Sequence, residues 1–129
     1  MLFLGHPHIP SETLYHVSSL EAITNTPPNT TLLFSYDEQV FELVNFAKTN
    51  GLNFALEINT LKDAVIFENL DAKFLLVTKE LAKSVQNAAD TYLFDAKILV
   101  HLKNDEEIEA LISEGIDGVI FSEAIIKIA

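Results

Sequence analysis

The 129-residue chain contains no cysteine and no arginine, and only four glycines. Without thiols there is no disulfide framework, no thiolate metal site and no cysteine nucleophile, and a reducing, cytoplasmic setting is the default expectation. Without guanidinium groups the chain lacks the fork that holds phosphate or guanine through two bonds at once. All eight basic residues are lysines, set against nineteen acids for a net charge of −11. Such a surface repels a phosphate backbone, so neither nucleic acid nor an anionic membrane is expected as a partner. No apolar run approaches the roughly 18 residues of a spanning helix. Met1-Leu2-Phe3-Leu4 is apolar but has no basic flank and stops at Gly5-His6, unlike a secretory signal. The glycines at 5, 51, 115 and 118 are scattered, so no glycine-rich phosphate cradle is present, and no serine stands in a G-x-S-x-G elbow. No cofactor is expected.

What the chain does have is a core: 49% of its residues are hydrophobic, enough for a single domain over residues 1–129. From residue 30 onward, continuous apolar runs alternate with helically periodic segments. Strands are expected near 31–35, 53–58, 73–77, 97–102 and 117–121. Between them, Val40, Leu43, Val44 and Ala47 follow helical spacing, as do Leu81, Val85, Ala88 and Ala89. Thr60 with Asp63, Thr78, and Asn104 with Glu107 read as helix starts, and Gly51 and Gly115 as helix stops. The helix after Asn104 is expected to bury Ile108, Leu111 and Ile112, and Ser122-Glu123 to open a last short turn.

Strands of unbroken Leu, Ile, Val and Phe are those of a parallel sheet covered on both faces. The expected fold is therefore α/β, a parallel sheet of five or six strands built from repeated βα units. Half-barrel and open, flavodoxin-like arrangements both satisfy the pattern. Leu33, Leu56, Leu75, Leu99 and Val119 are the expected core. Asp71–Val77 echoes Asp95–His101, which either a duplicated unit or the shared demands of buried strands would explain. Leu14–Val17 is strand-like and Ser18–Ile23 suggests a short capped helix, while Pro27-Pro28 enforces a loop. The first 12 residues read as an extended arm or a short edge strand.

Ligands of parallel sheets bind beyond the carboxyl ends of the strands. Those ends carry Ser35, Glu57, Thr78, Lys79, His101 and Ser122, with His101, Glu57 and Lys79 the catalytic candidates. The plainer alternative makes the hydroxyl residues helix caps and Glu57 a rim residue. His6 and His8, two apart in an extended segment, point the same way and are metal-ligand candidates with His101; His16 is a further available imidazole. Asp105-Glu106-Glu107 is explained by a helix dipole.

The pair His6-Pro7-His8 after an apolar strand resembles the opening of metal-dependent amidohydrolase-type barrels, although no Asp follows a late strand as that family requires. Leu99–Glu107 with Ile112–Phe121 resembles the closing βαβ segment of (βα)8-barrel enzymes, and is most similar to that of glycerophosphodiester phosphodiesterases. A looser likeness reaches Phe34–Asp37 and the Gly5-His6 opening. Pro7 stands where that family has an arginine, and its acidic metal pair and second catalytic histidine have no counterpart. The resemblance implies barrel-like βα units without the phosphodiesterase machinery. The functional expectation is a domain acting through binding or assembly; the alternative is a small metal-dependent hydrolase or lyase with its site at the strand carboxyl ends. A homodimer is expected, because the chain is about half the length of a full barrel and is rich in apolar residues outside the helical stripes, namely Phe41, Phe46, Phe67, Tyr92, Leu93 and Phe94.

Overall fold

A computed structural model describes all residues, 1–129. The chain is α/β with a sheet of eight strands, all parallel. The strands are β1 (Leu2–Leu4), β2 (Leu14–His16), β3 (Thr31–Ser35), β4 (Asn53–Glu57), β5 (Phe74–Val77), β6 (Lys97–Leu102), β7 (Gly118–Phe121) and β8 (Ile125–Lys127). The helices are α1 (Leu20–Thr24), α2 (Val40–Thr49), α3 (Leu61–Asn69), α4 (Lys79–Thr91) and α5 (Ile108–Ser113), and a 3-10 turn spans Ser122–Ala124. The sheet order is β1-β7-β6-β5-β4-β3-β2-β8.

The five strands expected from Thr31 onward are all present, and the expected core residues Leu33, Leu56, Leu75, Leu99 and Val119 are fully buried. The count of five or six is corrected to eight. Of the two readings of the first residues, Leu2–Leu4 takes that of a short edge strand, paired with β7, and Ile125–Lys127 adds an unexpected strand on β2. Both are only three residues long, too short for a periodicity to show before the partner is known.

Alternation along each strand separates two cores. On one face Leu32, Phe34, Phe54, Leu56, Leu75, Ile98, Val100 and Val119 meet Val40, Leu43, Ala64, Phe67, Ala82, Val85 and Leu111 of the helices. On the other, Leu4, Leu14, Leu33, Ala55, Phe74, Leu76, Leu99 and Ile120 meet one another, with Ala124 but no residue of α1–α5. A flavodoxin-like sheet would carry helices on both faces. Here one face is turned inward on itself, so the sheet is rolled in the half-barrel manner.

The seam between the two sheet edges is tight where β1 ends. At Gly5, φ is +88° and a Cβ would lie 3.0 Å from the backbone nitrogen and Cβ of Ala124. Glycine is required there for both conformation and space. At the opposite, amino-terminal end, Glu12 accepts from Thr31 Oγ1 at 2.7 Å and from Lys73 Nζ at 3.0 Å.

Helix signals were met unevenly. Thr60 Oγ1 accepts from the Asp63 amide at 3.1 Å, as the capping pattern predicts. Thr60→Ala should therefore lower stability by about 1 kcal/mol in a urea melt, with the slope unchanged. Thr78 stands at the N-cap of α4 but makes no side-chain cap bond. The buried stripe of α4 is Ala82, Val85, Gln86 and Ala89, with Ala88 only half-buried. Asn104 Oδ1 accepts from the Glu106 amide in a local turn and α5 begins only at Ile108, so Leu111 is buried and Ile112 exposed. Gln86 is held because its Oε1 accepts from the Asp117 amide at 2.9 Å, fastening α4 to the start of β7.

Candidate functional site

The inner face of the rolled sheet is apolar through its middle and polar at the carboxyl ends. Leu14, Leu33, Ala55 and Leu99 lie in the inner core, and two residues further along each strand come His16, Ser35, Glu57 and His101. A period of two puts these side chains on the same face. The mouth of the roll therefore carries a polar layer because each strand runs one pleat beyond its apolar segment.

Three of these groups form one network. Ser35 Oγ donates to Glu57 Oε1 at 2.8 Å, and His16 Nε2 lies 2.8 Å from Ser35 Oγ and 3.4 Å from Glu57 Oε1. A hydroxyl has one proton, and here it is directed to the carboxylate; His16 Nε2–H is then the donor to Oγ. The His16 and Glu57 side chains are 24% and 41% exposed, so both are reachable from solvent while held in place. A cleft of about 210 Å³ opens beside them, lined by His16, Ser18, Ser35, Asp37 and Lys127.

His101 stands apart from this network, with Nε2 3.0 Å from Ser122 Oγ. It borders a cleft of about 420 Å³ with Thr78, Lys79, Lys103, Asn104 and Glu107. Lys79 Nζ donates to Glu107 Oε1 at 2.7 Å. That hydrogen bond, and next the attraction of the Glu107 charge, raise the ammonium above its ordinary value of 10.5; desolvation opposes them, and Glu80 adds a lesser increase. The Lys79 ammonium is thus paired with Glu107 at the rim of this cleft. The pair contributes fully below the ordinary lysine value and is lost as pH rises through the raised one.

The three metal-ligand candidates are not gathered. His6 and His8 are neighbours, their ring centroids 5.8 Å apart, but His6 Nδ1 accepts from the His8 amide at 3.2 Å and its ring packs on Phe3 and Phe121. They border a cleft of about 310 Å³ with Lys103, Asp105 and Glu123, whereas His101 borders the other one. No three His, Asp or Glu side chains converge as a metal-binding group.

Glu57 and His101 were legible from their positions at strand ends. Ser35, read alternatively as a helix cap, instead bridges Glu57 and His16. Lys127 could not be found in advance, because β8 itself carried no signal. The sequence matches no protein-family model, and a comparison with curated proteins finds no match.

Proposed function

We propose that the chain is a cytoplasmic binding domain that takes a small polar ligand at the mouth of the rolled sheet. The observation that carries this reading is the change on one sheet face from Leu14, Leu33 and Ala55 to the joined His16, Ser35 and Glu57. The cleft beside that network gathers Ser18, Asp37 and Lys127 around His16 and Ser35, and a few fixed, convergent polar groups are what orient a small ligand. Asp37 in the cleft and Glu57 bonded to its Ser35, set against the single cation Lys127 and with no arginine in the chain, favour a neutral or cationic ligand bearing hydroxyl or amino groups. Binding is preferred to nucleophilic catalysis because Ser35 and Glu57 both meet the same nitrogen of His16. In a catalytic triad the acid holds the other nitrogen and the serine proton goes to the imidazole.

Thermal melts against polyols, amino alcohols and polyamines, with sugar phosphates and dicarboxylates as anionic controls, test the proposal. A ligand present at a hundred times its Kd should stabilise the fold by about 2.7 kcal/mol, several degrees in Tm. Ser35→Ala with Glu57→Gln should abolish that rise. A rise that is identical in the double variant, or that only the anions produce, would refute the assignment.

The second reading, a small hydrolase or lyase, is favoured by one feature: an imidazole and a carboxylate 3.4 Å apart at an open cleft could serve as acid and base. Turnover of a bound compound that is lost in His16→Gln would select it over simple binding.

A further inference from the structure

We propose that a second copy of this chain docks at the amino-terminal end of the sheet, each copy inserting Leu93 into a cleft of the other that Met1, Leu2 and Ile116 line beside Lys97 and Asp117. Tyr92 and Leu93 follow α4 and are 73% and 84% exposed, more than any other large apolar residue of the chain. Leu93 also has a φ of 55°, in the left-handed region. The other two non-glycine residues with positive φ are Asn29 and Asp71, types that tolerate this backbone. Leucine does not, and glycine or asparagine is the ordinary residue after a helix end. Leu93 is therefore unfavourable in the isolated chain twice over, in its backbone and in its solvent exposure. Burial by a partner removes the second penalty and accounts for a large side chain at the tip.

A receiving cleft lies at the same end of the molecule. It measures about 370 Å³ and is lined by Met1, Leu2, Lys97, Ile116 and Asp117. Lys97 opens β6 only four residues after Leu93, Leu2 pairs with Gly118 at the start of β7, and Leu2 is 41% exposed. Tip and cleft thus share one end of the sheet, as a two-fold contact requires, in which each surface meets its complement on the other copy. Charge agrees locally. Asp95 stands beside the tip and Lys97 borders the cleft, while the carboxylates of Asp117 and Asp90 are each engaged within the chain, by the Ile98 amide and by Gln86 Nε2, both at 3.0 Å. The net charge of −11 per chain opposes association, but beyond about 8 Å it is screened at physiological salt. The reciprocal contact counts every insertion twice toward the roughly 1,000 Å² that a stable interface buries. This contact leaves the carboxyl-end mouth free, so it stands or falls independently of the ligand.

Sedimentation equilibrium across a hundredfold range of micromolar concentration is the test. The wild type should approach twice 14.4 kDa. Leu93→Gly should weaken association at least tenfold while melting no lower than wild type under conditions where both are monomeric, and Leu93→Asn should do the same. Asp95→Lys and Lys97→Glu should each weaken it, and the double reversal should restore it. A wild type that remains at 14.4 kDa throughout, or a dimer that survives Leu93→Gly, overturns the proposal. So does a dimer that is lost in Phe41→Ala, which alters the other exposed aromatic cluster, Tyr36 and Phe41 over Phe67.

Discussion

Leu99→Ala should lower the free energy of unfolding by roughly 2 to 5 kcal/mol, and toward the upper part of that range. Leu99 is fully buried in the inner core, in the middle of β6, paired with Leu76 on one side and Gly118 on the other. The cost of truncating a leucine depends on how far its surroundings collapse into the space left. Here the surroundings are strands held on both sides by parallel ladders, so the inner face cannot contract without breaking them. The site is also closely filled: Leu99 Cδ2 lies 2.8 Å from the point where a Cβ on Gly118 would stand. A urea melt should show a lower midpoint at unchanged slope. A loss under about 1 kcal/mol would mean that the inner face is loosely packed, contrary to the general density of protein interiors.

Gly118→Ala should cost on the order of 1 to 3 kcal/mol, by overpacking rather than by a cavity. Gly118 has no positive φ, so the backbone itself admits alanine. Space does not: the new methyl would lie 2.7 Å from the Leu2 carbonyl oxygen, 2.8 Å from Leu2 Cβ and 2.8 Å from Leu99 Cδ2. Leu99 can shift a flexible methyl, but the Leu2 carbonyl is backbone. β1 is a three-residue edge strand held by β7 alone, so it should give way first. Amide exchange in Leu2–Leu4 should accelerate while the centre of β6 keeps its protection. Combined with Leu99→Ala, the two losses should sum to more than the double variant shows, since the truncation removes one of the three collisions. Strict additivity would place the strain entirely against β1.

Of the two grounds for expecting a homodimer, half-barrel length and six apolar residues outside the helical stripes, the structure divides the second. Phe67 is fully buried, and Phe46 and Phe94 pack against the outer core, which leaves Phe41, Tyr92 and Leu93 exposed. Composition alone does not make that division, because a residue off the main helical stripe can still meet a neighbouring helix, as Phe67 meets Phe41 at 5.5 Å between ring centroids. The spacing of His6 and His8 likewise said that two imidazoles lie together. It carried no information on the His8 amide from which one of them accepts, nor on the separate clefts that His101 and the pair border.

The sequence by itself determined the α/β class, the parallel direction of the strands, the five long strands and the buried residues at their centres. It did so because these are written in local period: unbroken apolar runs for strands covered on both faces, and 3.6-residue spacing for the helices between them. It also placed Glu57 and His101 at strand carboxyl ends, since a pleat of two residues follows directly from the position of the apolar run. Tertiary structure alone decided that all five helices share one face, that the sheet rolls instead of lying open, and that the short strands Leu2–Leu4 and Ile125–Lys127 join its edges. It alone decided that Ser35 joins His16 to Glu57 across the mouth. Those outcomes depend on pairings between segments far apart in the chain, where curvature and register choose the neighbour and no local pattern records it.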